Sequence, residues 1–398
     1  SMGFNGQSGT RTLTLKGTNS GDNTLAAVIG DNGGATTLMK TGAGTWVLTG
    51  TNSYTGTTTI SGGELRVGAG GTAGTLGSGA VTNNASLVIN RSDAITLANA
   101  ISGNGSLTQA GPGTTTLAGD SAYTGSTTIN AGAVSVAVLA DGGSNSNLGA
   151  STSAASNLVL NGGTLQYTGA DVSTDRLFSV GTSGGTLDAS GTGQVQFSNT
   201  GNMGFNAQGG ARTLTLTGTN SGNNTLAAVI GDSGGATSLV KSGTGTWVLT
   251  GANTYTGTTT ISAGVLQVGS GGTAGTLGSG AVTNNANLTF NRSDIVTISN
   301  SISGSGSLRQ AGTGTTILTG ANSYASVTTI SAGTLQVGNG GTTGTLGSGT
   351  ITNNGTLIIN RSNAITISGA MSGTGVLIQN GTGTTTVGTK AIATTLLF

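Results

Sequence analysis

The sequence predicts an all-β fold, a single-stranded parallel β-helix (solenoid) of about 17 coils, and three observations support this prediction. One outline of strand and turn residues recurs through the chain. Val, Leu and Ile alternate with small polar residues over short stretches, as in half-buried strands. Glycine supplies 77 residues, whereas there is one proline and only 6% of residues are charged. Because strong helix formers are scarce in the periodic segments, we expect almost no helix.

The recurring outline is clearest from Gly243 to Gly269, which reads GTGTWVLTGANTYTGTTTISAGVLQVG. It returns at 42–68 and 312–338 and, in degraded form, at 111–138. A unit of this kind buries its apolar face only by stacking on neighbouring units. The repeat therefore predicts a solenoid before any motif is considered.

Two periods are present in the sequence. Gly243 recurs as Gly312, which defines a 69-residue period, and Trp46 recurs as Trp247, which defines a 201-residue period. Each 69-residue unit contains three strand-turn-strand passages, which predicts about 23 residues per coil. We expect residues 1–398 to form one continuous β-helix. Its repeat units are expected at about 42–110, 111–180, 243–311 and 312–380.

The composition follows from the needs of such a helix. Inward positions take Val, Leu and Ile on every coil, which builds apolar ladders. Corners need backbone conformations that glycine adopts without strain and asparagine tolerates. Threonine on the outer face keeps strand propensity without creating an apolar patch. These structural needs account for most of the sequence without any activity.

Charge and hydropathy exclude two classes of partner. The 12 basic and 11 acidic residues are scattered singly, so the chain lacks the basic stripe that phosphate backbones require, and we do not expect nucleic acid binding. No apolar run is longer than Val136–Ala140, which is too short to span a membrane, so we do not expect the chain itself to be membrane-spanning. The chain has no cysteine, which removes disulfides and cysteine-based metal sites.

The least regular region runs from 133 to 202, where the 69-residue register is lost. Two polar turns occur there, DGGSNSN (141–147) and GADVSTDR (169–176). Loops that project from a regular scaffold often carry binding residues. The simpler interpretation, a corner that merely tolerates insertion, is the one we favour. If the region does bind a ligand, the candidate residues are Asp141, Asn145, Asp171, Asp175 and Arg176.

The sequence contains no convincing catalytic or metal site. The segment GDSGG at Gly231–Gly235 resembles the nucleophile segment of chymotrypsin-like serine proteases, but the chain has no histidine to act as base. Asp171 and Asp175, with Arg176, form the one close acidic cluster, and a solvated turn explains them better than glycoside hydrolysis. No calcium-binding loop motif is present. We therefore expect no catalytic residue, cofactor or metal, and no enzyme.

Two other recurring residue types have structural interpretations. Tyrosines that recur with the 69-residue period are expected to lie on one side of the helix and to cover corners: Tyr54, Tyr123, Tyr255 and Tyr324. Arginines in Asn-Arg-Ser corners are expected to be solvated: Arg91, Arg292 and Arg361.

The repeated outline resembles the autotransporter-associated β-strand repeat, also called the passenger-associated transport repeat. The copy at 312–338 departs from the pattern at Ala325 and Val327, and the outline fades after Gly381, yet the resemblance spans nearly the whole chain. It implies a right-handed parallel β-helix, part of a passenger that is exported through its own C-terminal outer-membrane β-barrel. On this interpretation we expect the chain to be a passenger fragment that includes neither that barrel nor the signal peptide.

The resemblance also implies a function and a location. The chain would be the structural stalk of a passenger at the cell surface of a Gram-negative bacterium, with repeats that support translocation and folding outside the cell and present adhesive regions. One alternative is a direct adhesin that binds host or bacterial surface glycans or proteins, or that self-associates between cells. A polysaccharide-active β-helix enzyme is a further alternative. Ice binding is less well supported, because the TTTI segments recur only on every third predicted coil.

Overall fold

Short parallel strands joined by glycine-rich corners make up the chain in a computed structural model that describes residues 2, 3, 5, 7–388 and 395–397. The helix found in these ranges is one 3-10 turn, Ala155–Asn157. Over the same part of the chain, no helix has the length and hydropathy needed to cross a membrane. The chain divides into two compact units: unit 1 is Ser1–Asn199 with Met203–Gln208, and unit 2 is Thr200–Asn202 with Gly209–Phe398.

Unit 1 contains the first twenty strands. They are β1 Arg11–Leu15, β2 Asp22–Leu25, β3 Thr36–Lys40, β4 Thr45–Leu48, β5 Thr58–Ile60, β6 Glu64–Val67, β7 Val81–Asn83, β8 Ser86–Ile89, β9 Ile95–Leu97, β10 Ile101–Ser102, β11 Ser106–Gln109, β12 Thr114–Leu117, β13 Thr127–Ile129, β14 Ala133–Val136, β15 Leu158–Leu160, β16 Thr164–Tyr167, β17 Val172–Thr174, β18 Ser179–Val180, β19 Gly185–Ala189 and β20 Val195–Phe197.

Unit 2 contains the strands that follow. They are β21 Arg212–Thr217, β22 Asn224–Leu226, β23 Thr237–Lys241, β24 Thr246–Leu249, β25 Thr259–Ile261, β26 Val265–Val268, β27 Val282–Asn284, β28 Asn287–Phe290, β29 Ile295–Ile298, β30 Ile302–Ser303, β31 Ser307–Gln310, β32 Thr315–Leu318, β33 Thr328–Ile330, β34 Thr334–Val337, β35 Ile351–Asn353, β36 Thr356–Ile359, β37 Ile365–Ile367, β38 Met371–Ser372, β39 Val376–Gln379, β40 Thr385–Val387 and β41 Thr395–Leu397.

Each unit is a parallel solenoid, and its most complete turns contribute one strand to each of three sheets. In unit 1 the sheets run β1-β3-β5-β7-β10, β2-β4-β6-β8-β11-β13-β15-β18, β9-β12-β14-β16-β19 and β17-β20. In unit 2 they run β21-β23-β25-β27-β30, β22-β24-β26-β28-β31-β33-β35-β38, β29-β32-β34-β36-β39-β41 and β37-β40. The units together contain about 18 turns, which confirms the predicted all-β parallel solenoid of about 17 coils.

Like residues stack over like residues inside the turns. Leu65, Leu87 and Leu107 pair in register on β6, β8 and β11, and all three are fully buried. Alternate residues of the same strands face outward, so a period of two along the sequence becomes an inner apolar ladder and an outer polar one. Burial of these ladders is the main stabilising contribution that the sequence pattern predicts.

The predicted number of residues per coil is larger than the number found in the regular turns. Thr45 pairs with Glu64, Glu64 with Ser86 and Ser86 with Ser106, so three turns carry the chain only from Thr45 to Ser106. A 69-residue repeat is therefore longer than three turns. The remaining residues carry the chain around to the next side, and Thr114, one repeat after Thr45, lies in the β9-β12-β14 sheet.

The recurring tyrosines lie inside the solenoid. The expectation that they share one side is wrong, because a 69-residue repeat is longer than three turns. Tyr54 precedes β5, which pairs with β3 and β7, whereas Tyr123 precedes β13, which pairs with β11 and β15. All four rings are fully buried instead of covering corners. Each hydroxyl is bonded to a threonine four positions on, as in Tyr123 to Thr127 at 2.7 Å, which satisfies the one polar atom of the ring. Burial raises the pKa of Tyr123 to about 12.

The arginines of the Asn-Arg-Ser corners are also buried, contrary to expectation. Arg91, Arg292 and Arg361 are 6%, 8% and 7% exposed. Arg292 donates from Nε to Asp294 at 2.8 Å and from Nη1 to the carbonyl oxygen of Gly275, so it fixes the loop that follows β26. A glycine-rich loop offers many backbone carbonyl oxygens, and the guanidinium supplies donors to them.

Two lysines that the sequence analysis did not single out are fully buried. Lys40 and Lys241 end β3 and β23 at inward positions, and both are 0% exposed. The ammonium of Lys241 donates to the carbonyl oxygens of Ser242, Gly243 and Ala263 at 2.5, 2.8 and 3.1 Å. Burial lowers the pKa of Lys241 to about 8. It also lowers the pKa of Lys40, where the charge of Glu64 opposes the effect.

The buried lysine predicts an unusual pH dependence of stability. Because the pKa of Lys241 is about 8 when folded and about 10.4 when unfolded, the unfolded chain binds more protons between these values. The free energy of unfolding should therefore rise between pH 8 and pH 10.4, by about 3 kcal/mol at most. Lys241→Gln copies Gln310 in the next repeat, whose side chain already bonds to Gly312 and Gly314. It should remove the contribution of Lys241 to this rise and leave that of Lys40, whose pKa is also lowered, as measured by urea unfolding midpoints at pH 7, 9 and 10.5.

The control for this prediction is Lys16→Gln, at an exposed position. It should leave the pH profile of the wild type unchanged. A Lys241→Gln profile parallel to that of the wild type over the whole range would contradict the assignment of the rise to Lys241.

Candidate binding cleft

A long insertion in unit 1 lies in the region that the sequence marks as irregular. Leu107 pairs with Thr127, and Thr127 pairs with Leu158 on the following turn. The turn from Thr127 to Leu158 therefore contains about half as many residues again as the turn from Leu107 to Thr127. The strands on both sides remain in register, because Val134 pairs directly with Leu165. The additional residues therefore leave the solenoid as a loop after β14 without disturbing its ladders.

The insertion is held by Asn147 and Arg176. The Asn147 side chain accepts from the backbone N–H groups of Ala137 and Val138 at 3.0 and 2.8 Å, and donates to the carbonyl oxygen of Gly119 at 3.1 Å. These bonds close the loop on itself and tie it to the coil beneath.

Arg176 is buried among carbonyl oxygens of the same loop. Its guanidinium donates to the carbonyl oxygens of Ala140, Gly149 and Ser151 at 2.9, 2.8 and 3.0 Å. The side chain is 3% exposed, and burial lowers its pKa. Arg176 therefore reaches from the turn after β17 into the insertion and fixes its path.

The two polar turns that the sequence singles out are joined to each other. Asp175 accepts the backbone N–H of Gly142 at 2.7 Å, and Asp141 accepts the backbone N–H of Asp175 at 2.8 Å. Asp171 uses one carboxylate oxygen to accept the N–H of Gln194 at 2.8 Å. The structure thus brings together Asp141, Asp175 and Arg176 in one loop junction.

A cleft of about 490 Å³ opens between the two turns, and we call it the loop cleft. Its lining includes Val138, Asp141, Tyr167 and Asp171. Val138 is 55% exposed, and the side chains of Asp141 and Asp171 are exposed as well. Burial raises the pKa of Tyr167, with a smaller contribution from Asp171, and the Tyr167 hydroxyl donates to the carbonyl oxygen of Ala170. The cleft thus combines two acids with an apolar rim.

The predicted site residues divide into two groups by position. Asp141, Asn145 and Asp171 are exposed, with Asp141 and Asp171 in the lining of the cleft. Arg176 is buried and Asp175 is half-buried, where they hold the loops together. Val138 and Tyr167, which also line the cleft, were not predicted from the sequence. The signal that could have found them is the apolar run Val136–Ala140, which continues past the last residue of β14 directly into a polar turn.

The chemistry of the cleft suits binding by hydrogen bonds and charge. Within the described ranges, no three acidic side chains are grouped as a metal site would need. The segment GDSGG lies in unit 2, where Asp232 accepts the backbone N–H groups of Thr237 and Thr256 at 2.7 and 3.0 Å. That segment is the glycine-rich corner expected from the absence of histidine.

In the described residues, stacked parallel turns with a loop insertion after β14 define the class of solenoid repeat proteins. The repeats themselves match the family model of the passenger-associated-transport-repeat at residues 38–67, 107–136, 239–268 and 308–337. The chain therefore carries the repeats of autotransporter passengers, as the sequence outline predicts.

One curated relative supports the same assignment. The chain is 38% identical over 344 residues to the protein named "Adhesin BmaC autotransporter" from Brucella suis biovar 1 (strain 1330). The alignment covers 69% of this chain and 10% of the relative, so the chain spans about a tenth of the length of that adhesin. No solved structure gives a significant match to the chain.

Proposed function

We propose that residues 1–398 are one continuous β-helical part of a passenger displayed on the surface of a Gram-negative bacterium by its own C-terminal outer-membrane barrel. The solenoid acts as a non-catalytic stalk that needs no cofactor. Its repeats support translocation and folding outside the cell, and its loops present adhesive surfaces. The observation that carries the proposal is the match of four segments to the passenger-associated-transport-repeat, in a chain similar to an autotransporter adhesin.

The fold supports this role physically. Each turn pairs only with the turns next to it, so turns can form one after another as the chain emerges. With 6% charged residues, the chain also has few groups that are costly to desolvate in transit. Folding outside the membrane would then favour outward movement.

The loop cleft supports an adhesive role for unit 1. Asp141, Asn145 and Asp171 are the proposed ligand contacts, whereas Asp175 and Arg176 position the loops. Because the loops are already fixed by hydrogen bonds, a ligand would meet a preformed surface and lose little binding energy to ordering. The two acids favour a ligand that presents hydrogen-bond donors or positive charge.

Surface display tests the proposal directly. The chain is placed between a signal peptide and an autotransporter barrel in a Gram-negative laboratory strain. We expect antibody labelling of intact cells, loss of that labelling on external protease treatment, and adhesion of the cells to immobilised glycans or proteins, or to one another. Asp141→Asn with Asn145→Ala and Asp171→Asn should keep display but reduce adhesion at least fivefold, because the amides keep the hydrogen-bond acceptors and remove the charges.

The matched control is Asn339→Ala, at an exposed loop position in unit 2, which should leave display and adhesion unchanged. Failure of the wild-type chain to reach the surface would contradict the stalk role. Full adhesion by the triple variant would contradict the binding role of the loop cleft but would leave the stalk role standing.

A direct adhesin whose solenoid face binds glycans is the second candidate function. It is favoured by a polar cleft on an outer sheet face of unit 2.

A further inference from the structure

A second cleft, of about 540 Å³, lies on the outer face of unit 2, and we call it the sheet cleft. Its floor includes outward residues of β26, β28, β31 and β33. Gln267, Thr289, Arg309 and Thr329 pair in register on these four strands and form one column. Side chains in such a column repeat about every 4.8 Å along the stack. Thr289 is only 5% exposed, whereas Gln267, Arg309 and Thr329 are accessible, so the cleft offers polar groups spaced along one direction.

A second column of polar groups runs beside the first. Asn287 and Ser307 pair on β28 and β31, and the Ser307 hydroxyl is 2.6 Å from the Asn287 amide oxygen. Asn287 also donates to the carbonyl oxygen of Gly264 at 3.1 Å, which fixes its amide. Amides and hydroxyls that are held in place in this way can bind the hydroxyl groups of a sugar chain.

The same face of unit 1 differs in its charges. Arg66 there forms ion pairs with Asp22 and Glu64 at 2.9 and 2.7 Å. In unit 2, one 201-residue period later, the three corresponding positions are Gln267, Asn223 and Val265. The acids and the arginine of unit 1 are thus all replaced by uncharged residues.

Unit 2 has gained one cation on this face. Arg309 occupies the position of Thr108 in unit 1, and its side chain is exposed. Its Nε donates to the Ser331 hydroxyl at 3.1 Å, which orients the guanidinium. In the described parts of the chain, Arg309 takes part in none of the ion pairs. Its terminal amino groups therefore remain available for a planar anion, which a guanidinium binds with two parallel hydrogen bonds.

We propose that the sheet cleft binds an acidic polysaccharide, with Arg309 on a carboxylate or sulfate group and Gln267 and Asn287 on neighbouring sugar hydroxyls. The repeat of polar groups from turn to turn suits an extended polymer. Nucleic acid does not fit, because one cation on a chain of net charge +1 gives too small an electrostatic contribution. A protein partner fits less well, because the two columns offer no aromatic anchor. This inference rests on the proposed function and gives its adhesive part a ligand class.

The test uses the purified chain in solution, so it is independent of surface display. Oligogalacturonate and a sulfated oligosaccharide are titrated by calorimetry against a neutral maltooligosaccharide. Binding of at least one acidic probe is expected, with at least tenfold weaker binding at 0.5 M NaCl, because salt screens an exposed charge. Arg309→Thr should also weaken it tenfold or more, and Arg309→Lys less, because lysine keeps the charge without the two parallel bonds.

The control is Arg66→Thr in unit 1, which changes the net charge by the same amount and should leave affinity unchanged. Circular dichroism checks that each variant is folded. The proposal is overturned if neither acidic probe binds at millimolar concentration, or if Arg309→Thr binds as the wild type does. Equal binding of the neutral probe, or tighter Arg309-dependent binding of an acidic peptide, would overturn it as well.

Discussion

Gly347→Ala is expected to destabilise the turns around β33 and β35 by about 1–3 kcal/mol. A methyl group on Gly347 would lie 2.2 Å from the carbonyl oxygen of Tyr324 and 2.5 Å from two carbons of its ring. The ring is fully buried and its hydroxyl is bonded to Thr328 at 2.7 Å, so it cannot move aside without losing both packing and a hydrogen bond. The measurement is the urea unfolding midpoint, together with hydrogen exchange of β33 and β35.

The control lies in the same loop. Gly341 has no atom within 4 Å of an added methyl group, so Gly341→Ala should leave the midpoint unchanged. In the display experiment, Gly347→Ala should lower the amount of passenger on the surface if folding outside the cell supports export. A Gly347→Ala protein with wild-type midpoint and exchange would show that the ring does not constrain this corner.

Arg176→Ala is expected to release the insertion that forms the loop cleft. The change removes the guanidinium bonds to the carbonyl oxygens of Ala140, Gly149 and Ser151, each of which keeps one other donor, and a lost hydrogen bond to a charged group costs about 1.5–3 kcal/mol. Because the ladders on both sides of the loop stay paired, the loss should be local. Amides of residues 137–152 should exchange at least tenfold faster, and limited proteolysis should cut there first.

The control is Arg309→Ala, which removes a side chain of the same charge and size from an exposed position. Arg309→Ala should leave exchange in residues 137–152 unchanged. Arg176→Lys should restore only part of the protection, because an ammonium cannot span carbonyl oxygens that a planar guanidinium reaches together. Unaltered exchange of this segment in Arg176→Ala would contradict the bracing role.

The sequence predicted the fold class because the features that decide it are local. An alternation such as TTI at 58–60, followed by a glycine corner and a further alternation at 64–67, places apolar residues on one side of each strand. Stacking then follows, since no single unit can bury that side alone. The repeat outline likewise predicted the segments that the family model matches.

The length of a coil could not be derived in the same way. It depends on where the chain turns in space, and the return of similar sequence with a 69-residue period suggested a whole number of turns. The corner arginines were misjudged for a related reason. A charged residue next to a turn is usually solvated, but here the neighbouring glycine-rich loop folds over Arg292 and supplies Gly275 as an acceptor. Only the tertiary structure shows that the loop needs this donor.

The loop cleft was located by sequence but its residues were only partly assigned. Loss of the repeat register indicated the region, and polar turns indicated Asp141 and Asp171. Which polar residue faces solvent and which holds the loop depends on backbone carbonyls that carry no sequence signal, as for Arg176. The sheet cleft was not predicted at all, because its columns join residues that lie a whole turn apart in the sequence.

The mismatch between a 69-residue repeat and three turns affects how such proteins can vary over time. Recombination between the copies at 243–311 and 312–380 would add or delete one repeat without breaking the stack, because their strands correspond one to one, from β24 and β32 to β31 and β39. Each such event would rotate every later surface to the next side of the triangular cross-section. Lineages that differ only in copy number would therefore present the same ligand-binding groups in different angular directions, so that length changes alone would diversify what a cell displays to its surroundings.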